Sequence, residues 1–216
     1  MSQNNLSDII TSMNNLTLNL VSPPPNINKP NINKLQKIAG VFIIDYIDNI
    51  PYMLMGKSNK PNKCTEYESF GGKVENYDLT PLHGAVRELI EELFNIKTPD
   101  NFINNLVYEI KKNNLIRYAY RKFIYLYLFD FDGLNFIFNK VLQFDDNLKQ
   151  FSKNKELMLD KYIDERTVPE YNPDANDGFN EISSIKLVNL YNYNDIKIRG
   201  RIKSHIKELF KRKVLV

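Results

Sequence analysis

The chain carries a single cysteine, Cys64, among its 216 residues. An intrachain disulfide and a cysteine-based zinc site are both excluded, and a reducing compartment is the simplest setting. Long apolar runs are missing as well. No stretch reaches the ~18 consecutive apolar residues of a membrane span, and the N-terminus lacks the basic-then-apolar pattern of a secretory signal. The expectation is a cytoplasmic protein with no membrane partner. Charge of one sign is scarce: the net charge is +3 and the pI about 8.7, too weak a bias to argue for nucleic acid unless it is unevenly placed. With 43% hydrophobic residues the chain can bury one substantial core, and no second core is evident.

What is present is concentrated between Gly71 and Leu93. A double glycine, Gly71-Gly72, precedes a segment in which Thr80 suits an N-cap and Pro81 a first helical position, so a helix is expected from Pro81 to about Phe94. Leu82, Ala85, Val86, Leu89, Ile90 and Leu93 fall on one side of that helix as a stripe to be buried. Glu88, Glu91 and Glu92 stand at i, i+3 and i+4, within one turn of each other. Like charges so close repel, and a divalent cation removes the conflict. Carboxylate oxygens suit Mg²⁺ or Mn²⁺, which keep several waters and share their remaining positions with substrate phosphates. A solvated acidic face is the competing reading for three glutamates alone; the double glycine, Arg87 and the cap count against it.

Gly72 and the run Arg87-Glu88-Leu89-Ile90-Glu91-Glu92 resemble the signature of the Nudix hydrolases: a glycine, five residues, a glutamate, seven residues, then Arg-Glu-apolar-x-Glu-Glu-x-Gly-apolar. Three positions depart from it. Asp78 stands where the family has its first glutamate, with Glu75 as a competitor for that role, and eight residues separate Asp78 from Arg87. The extra residue belongs in the loop from Asn76 to Thr80, where length is tolerated. Phe94 replaces the family's glycine, and Asn95 beside it can take the left-handed conformation of a helix end. The resemblance implies an α/β fold, a Nudix-type α/β/α sandwich with a mixed sheet, here with a helical insertion and an N-terminal arm. It also implies a metal held by Glu88, Glu91 and Glu92, with the Gly72 carbonyl as a further donor, and an Arg87 that holds a catalytic glutamate in place by forked hydrogen bonds. Glu91 or Glu181 is the expected general base.

The remaining chain is read around this unit. Residues 1–34, rich in asparagine and closing with Pro23-Pro24-Pro25 and Pro30, form an arm, and 35–216 the catalytic domain. Ile38–Tyr46 and Pro51–Met55 read as strands around a turn at Asp48-Asn49. Gly56–Ser69 reads as a polar loop whose Lys57, Lys60 and Lys63 point toward a phosphate-rich substrate or merely into solvent. Phe102–Lys111 and Arg117–Phe131 are expected to be strands, the second central, with either Arg121 or the Tyr120 and Lys122 pair facing the cleft. Between 134 and 180 apolar residues recur at helical spacing, an insertion of one or two helices that shapes substrate choice, makes a subunit contact such as a homodimer's, or simply adds cover to the core. Glu181–Leu190 resembles the family's last strand, with Glu181 a candidate carboxylate for the metal centre and Asp174 and Asp177 its rivals.

From 197 to 213 the chain reads as an amphipathic helix with Ile202, Ile206, Leu209 and Phe210 inward and an almost wholly basic outer face. Lys73, Arg199, Arg201, Lys203 and Lys207 join Lys57 as candidate substrate or RNA contacts, because clustered cations are the footprint of a polyanion. His83 and His205 are expected to be structural. The basic tail, the insertion and the arm are most similar to the mRNA-decapping Nudix enzymes of eukaryotes and large DNA viruses, which for a viral protein places it in the host cytoplasm. Decapping of capped RNA is thus the first expectation. A phosphate-rich small molecule is the second: a nucleotide, a dinucleoside polyphosphate or a diphosphoinositol polyphosphate. An inactive RNA-binding protein of the same fold is the third.

Overall fold

The computed structural model describes residues 37–59, 66–121, 124–166 and 181–215. Asp48 and Asn49 take φ of 52° and 64°, the positive values that a two-residue hairpin turn requires and that these side chains tolerate. They join β1 (Ile38–Ile47) to β2 (Ile50–Ser58), in register from Ile43 opposite Leu54 to Ile47 opposite Ile50. Beyond Ile43 the hairpin opens, and β3 (Tyr67–Glu68) and β4 (Phe70–Lys73) fill the fork: β3 pairs with Gly56 and Lys57, and β4 with Ile38–Val41. The glycine turn is therefore a strand in the middle of the sheet.

β1 is buried on both faces. Ala39, Val41 and Ile43 join one apolar cluster, while Phe42 and Ile44 join the other, the near-continuous apolar run that a strand covered on both sides needs. Its second neighbour is β6 (Tyr125–Phe129), paired in parallel, and β6 is flanked by antiparallel β5 (Tyr118–Arg121) at the edge. β9 (Ile182–Asn189) pairs antiparallel with β2 and completes a mixed seven-stranded sheet. The single long strand expected over 117–131 is thus two strands of a hairpin, of which β6 is the interior one.

Helices cover both faces. On one side lie α1 (Pro81–Leu89), α2 (Asp100–Lys112), α3 (Phe131–Val141) and α4 (Leu159–Glu165). On the other lies α5 (Gly200–Lys211), held by Ile202, Ile206 and Leu209. The architecture is the α/β/α sandwich expected. Residues 102–111 correct that reading, since they are the helix α2 and not a strand. Ile103, Leu106, Val107 and Ile110 are its buried residues, at spacings of three, one and three, a helical stripe that outranks the β-forming types in the segment. Asp130 caps α3 by accepting the Gly133 N–H at 2.7 Å, and Asp45 of β1 accepts the Phe131 N–H at 2.9 Å, so α3 is anchored directly to the central strand. Beyond it a 3₁₀ turn, Asp146–Phe151, and a short hairpin of β7 (Ser152–Lys153) with β8 (Glu156–Leu157) lead to α4. The arm 1–34 and the polar loop carrying Asp174 and Asp177 lie outside the described residues. No helix among the described residues is long and apolar enough to cross a membrane.

Candidate active site

Gly71 stands opposite Gly40 in the β1–β4 ladder with φ of 147°, and a β-carbon on it would lie 2.4 Å from the Gly40 Cα and 2.5 Å from the Ala39 carbonyl oxygen. Only glycine fits that backbone approach. Gly72 is different: a β-carbon there would meet the Glu88 carboxylate at 2.5 Å, so this glycine cradles an acid. Gly71→Ala is expected to cost about 2–4 kcal/mol of stability through strain and backbone overlap. Gly72→Ala should leave the melting temperature nearly unchanged while displacing Glu88, which lowers Mn²⁺ affinity. Thermal melts and Mn²⁺ titration of the two variants separate these outcomes.

The expected helix start is present. Pro81 opens α1, and the His83 Nδ1 accepts the Thr80 N–H at 2.9 Å, so His83 is structural and its imidazole is neutral at that nitrogen. Burial, with Lys111 nearby, holds its pKa below the ordinary value, in keeping with that role. α1 then widens into a π-type turn over Ile90–Phe94 and stops at Asn95, which has φ of 56° and ψ of 39°. Glu91 and Glu92 both lie in the widened turn, a feature that often marks functional sites. Phe94, at the family's glycine position, is buried between the rings of Phe138 and Tyr162 at centroid distances of 5.8 and 5.9 Å. The insertion thus packs against the place where the family pattern departs.

Arg87 is the organiser of the acids. Its Nη1 donates to Glu91 Oε2 at 3.0 Å and lies 3.0 Å from Glu88 Oε1, while Nη2 donates to Asp78 Oδ2 at 3.2 Å and to the Lys73 carbonyl at 3.1 Å. Nε reaches Asp78 Oδ1 at 3.4 Å. Asp78 is therefore a third acid on the guanidinium, and it also accepts the Glu75 N–H at 2.8 Å; the Glu75 side chain pairs with Lys73 instead, at 3.2 Å. Of the two acids, only Asp78 meets Arg87. Burial opposes the Arg87 charge, but Asp78, Glu88 and Glu91 together outweigh it and raise its pKa. Tyr77, half exposed, lays its ring 5.6 Å from the same guanidinium.

One guanidinium does not balance these acids. Burial raises the Glu88 pKa against the pull of Arg87, with Glu181 adding to the rise, and pushes Glu91 up to about 7. Glu92 is raised well above the usual carboxylate range, by burial and then by Glu88, with Glu181 and Glu68 contributing, although its Oε2 accepts the Gly71 N–H at 2.7 Å. Among the described residues no three acids are gathered into an ion cage, because Arg87 draws in Glu88 and Glu91 and the Gly71 amide holds Glu92. The donor set still fits a hard cation: several buried oxygens lack sufficient positive charge, and all are carboxylates. A raised carboxyl pKa means that the folded chain holds more protons than the unfolded one. Metal-free protein should accordingly lose stability as pH climbs from about 5 to about 8. Added Mg²⁺ or Mn²⁺ should raise the melting temperature more at the alkaline end, where protons no longer compete; a flat profile with no metal effect would refute this charge imbalance.

The other expected residues are spread around this centre. Glu181 precedes β9, its carbonyl accepts the Asn59 N–H at 2.6 Å, and its charge bears on Glu88 and Glu92. Lys57 belongs to β2 and not to a loop, with its backbone paired to Tyr67 and Ser184; Lys60 and Lys63 lie outside the described residues. Arg199 and Arg201 are already engaged, both on Glu68 Oε2 at 2.5 and 3.4 Å, whereas on α5 Lys207 is exposed and Lys203 half-buried. The pairing of Lys197 and Arg199 backbone with Tyr67 brings the start of α5 beside the fork. There a small pocket is lined by Gly71, Ser69, Gly40, Arg201 and His205, among others. Tyr120 packs edge-on against His205 at 5.8 Å and beneath Arg212 at 5.0 Å, which puts it on the α5 face; Lys122 is outside the described residues. Sequence reasoning passed over Glu68, which carries no motif of its own and is distinguished only by standing three residues before Gly71.

No protein-family model matches the sequence, and no curated protein is significantly similar to it. Among solved structures, an Ap4A hydrolase of C. elegans, crystallised as a binary complex, aligns with 83% of this chain and 98% of its own at 14% identity, with a TM-score of 0.42. A mutT/nudix family protein of Listeria innocua aligns with 86% of this chain and 96% of its own at 11% identity, with a TM-score of 0.37. For a MutT/nudix family protein of Enterococcus faecalis the shares are 58% and 43%, at 12% identity and a TM-score of 0.30. The glycine strand, the Arg87 fork and the glutamates of the turn that follows are the segments on which this chain resembles the Nudix signature, and they stand side by side in the fold.

Proposed function

We propose that the chain is a metal-dependent hydrolase of a diphosphate linkage and that its substrate is the 5′ cap of RNA, cleaved to methylated GDP and a 5′-monophosphate end. The observation that carries the chemistry is the set of buried Glu91 and Glu92 with half-buried Glu88, whose charge one guanidinium leaves uncompensated. Mg²⁺ or Mn²⁺ bound by these acids, with the Gly72 carbonyl beside them, would supply charge stabilisation at the phosphoryl oxygens and a more acidic water. Arg87 keeps Glu91 oriented, and a carboxyl poised near neutrality can accept a proton from the attacking water. Glu181, whose charge bears on Glu88 and Glu92, is the second acceptor for that proton.

The choice of a capped RNA rests on α5. Its start reaches the pocket beside Gly71 through Arg201 and His205, and its outer side continues with Lys203, Lys207 and Lys211, a track longer than one nucleotide requires. The engagement of Arg199 and Arg201 with Glu68 favours a second reading, in which a compact polyphosphate such as a dinucleoside polyphosphate or a diphosphoinositol polyphosphate occupies the pocket and displaces Glu68 from them.

Cap-labelled RNA, free cap analogue, a dinucleoside tetraphosphate and an inositol pyrophosphate, each incubated with the full chain and Mg²⁺ or Mn²⁺, distinguish the readings. Release of methylated GDP from long RNA alone, with a rate that falls steeply with salt and in Lys203→Glu/Lys207→Glu, supports decapping. Turnover of the small molecules with RNA untouched supports the second reading. No turnover of any, with RNA still bound, would leave an RNA-binding protein.

A further inference from the structure

Arg166, the residue after α4, is a half-buried guanidinium that pairs with no carboxylate among the described residues. Instead Nη1 donates to the Leu93 carbonyl at 3.1 Å and Nη2 to the Ile182 carbonyl at 3.2 Å. The Tyr162 hydroxyl, one turn earlier, donates to the same Leu93 oxygen at 2.7 Å. Both carbonyls are special. Leu93 lies in the widened turn directly after Glu92, where a π-type turn and the left-handed Asn95 interrupt the ordinary helical pairing. Ile182 lies directly after Glu181, where the β2–β9 register slips between Lys57 and Ser58, and such a bulge interrupts the ladder. The slip also explains how Ile182 and Ile185, three apart in a strand, both enter the same apolar cluster.

Keeping a guanidinium here is costly: burial lowers its pKa, and the Tyr162 ring, 5.8 Å away, gives only partial relief. A planar fork whose two arms reach two different backbone carbonyls is the geometry that arginine provides and lysine does not. Resting on the reading of Glu88, Glu91 and Glu92 as metal ligands, we propose that Arg166, assisted by Tyr162, is a positioning residue: it ties the end of the glutamate-bearing turn to the start of β9 and so fixes Glu92 and Glu181 relative to each other.

Mn²⁺ binding by the full chain, read from the electron paramagnetic resonance signal of the free ion, tests this without turnover. Arg166→Met should weaken Mn²⁺ binding by about tenfold or more, the usual effect of losing support behind a ligand. Arg166→Lys should recover only part of it, and Tyr162→Phe, which keeps the ring in its packing, should lose about threefold. On whichever substrate the wild type turns over, kcat should fall with KM within about twofold. Metal-free melting temperatures and far-ultraviolet circular dichroism report whether Arg166→Met folds; if it does not, Tyr162→Phe decides. Mn²⁺ affinity equal to wild type in the folded variants, with only the melting temperature lowered, would overturn the positioning role. Failure of the wild type itself to bind Mn²⁺ would overturn the metal reading beneath it.

Discussion

Glu92→Gln is expected to lower kcat at least about a hundredfold while the metal-free protein melts at a higher temperature than the wild type. The two effects share one cause. Glu92 is buried, holds the Gly71 amide at 2.7 Å and sits in the field of Glu88, Glu181 and Glu68. A glutamine has the same shape and its side-chain oxygen still accepts that N–H, but it removes a charge that burial and its neighbours disfavour. Metal-free protein therefore gains. With metal present the lost carboxylate removes one ligand, and charge stabilisation worth several kcal/mol at the reacting phosphate corresponds to two or more decades in rate. Melting curves with and without Mn²⁺, beside single-turnover rates, check both halves; an unchanged rate would remove Glu92 from the metal centre.

Removing Arg87 should do the opposite to stability. Arg87→Ala deprives Asp78, Glu88 and Glu91 of their shared partner and leaves the Lys73 carbonyl without its side-chain donor. Breaking a buried ion pair by deleting one side typically costs about 3–5 kcal/mol, because the remaining charge is stranded. Each abandoned acid can relieve that cost by taking up a proton, so the deficit should be smaller near pH 5.5 than near pH 7.5. Arg87→Lys should fall between, since an ammonium supplies charge but cannot fork between three carboxylates. Urea unfolding at both pH values measures this, and a pH-independent deficit would contradict the assignment of Arg87 as the shared counter-charge.

The site was legible in the sequence wherever chemistry and periodicity agreed. The apolar stripe from Leu82 to Leu93 was legible from its helical spacing, and all six stripe residues are buried, whereas the widening of the turn that carries Glu91 and Glu92 was not. Asn95 could be read as a helix end because few other side chains tolerate positive φ. The segment of α2 reads as a strand because Phe102, Ile103, Val107, Tyr108 and Ile110 are good strand formers by type, whereas packing follows their spacing. The split of 117–131 carried no glycine or proline to mark it. The role of Asp78 needed coordinates, since an extra loop residue takes the pattern out of step. Glu68, Tyr162 and Arg166 lie far along the chain from what they touch, and no local signal announces such partners.

The order in which the sheet closes has a kinetic consequence. The hairpin β1–β2, the glycine strand and α1 all fall between Ile38 and Leu89, whereas β9 must find β2 across more than a hundred residues, Leu187 opposite Leu54. Joining ends so far apart carries an entropic penalty before any contact rewards it. The half of the centre built from Gly71, Arg87 and the glutamates should therefore assemble ahead of the half brought by Glu181. Ile185→Val, a loss of about 1 kcal/mol from a fully packed position, should leave the refolding limb of a chevron plot in place and steepen the escape from the native state by several-fold. A slower refolding limb instead would show that docking of the last strand belongs to the transition state.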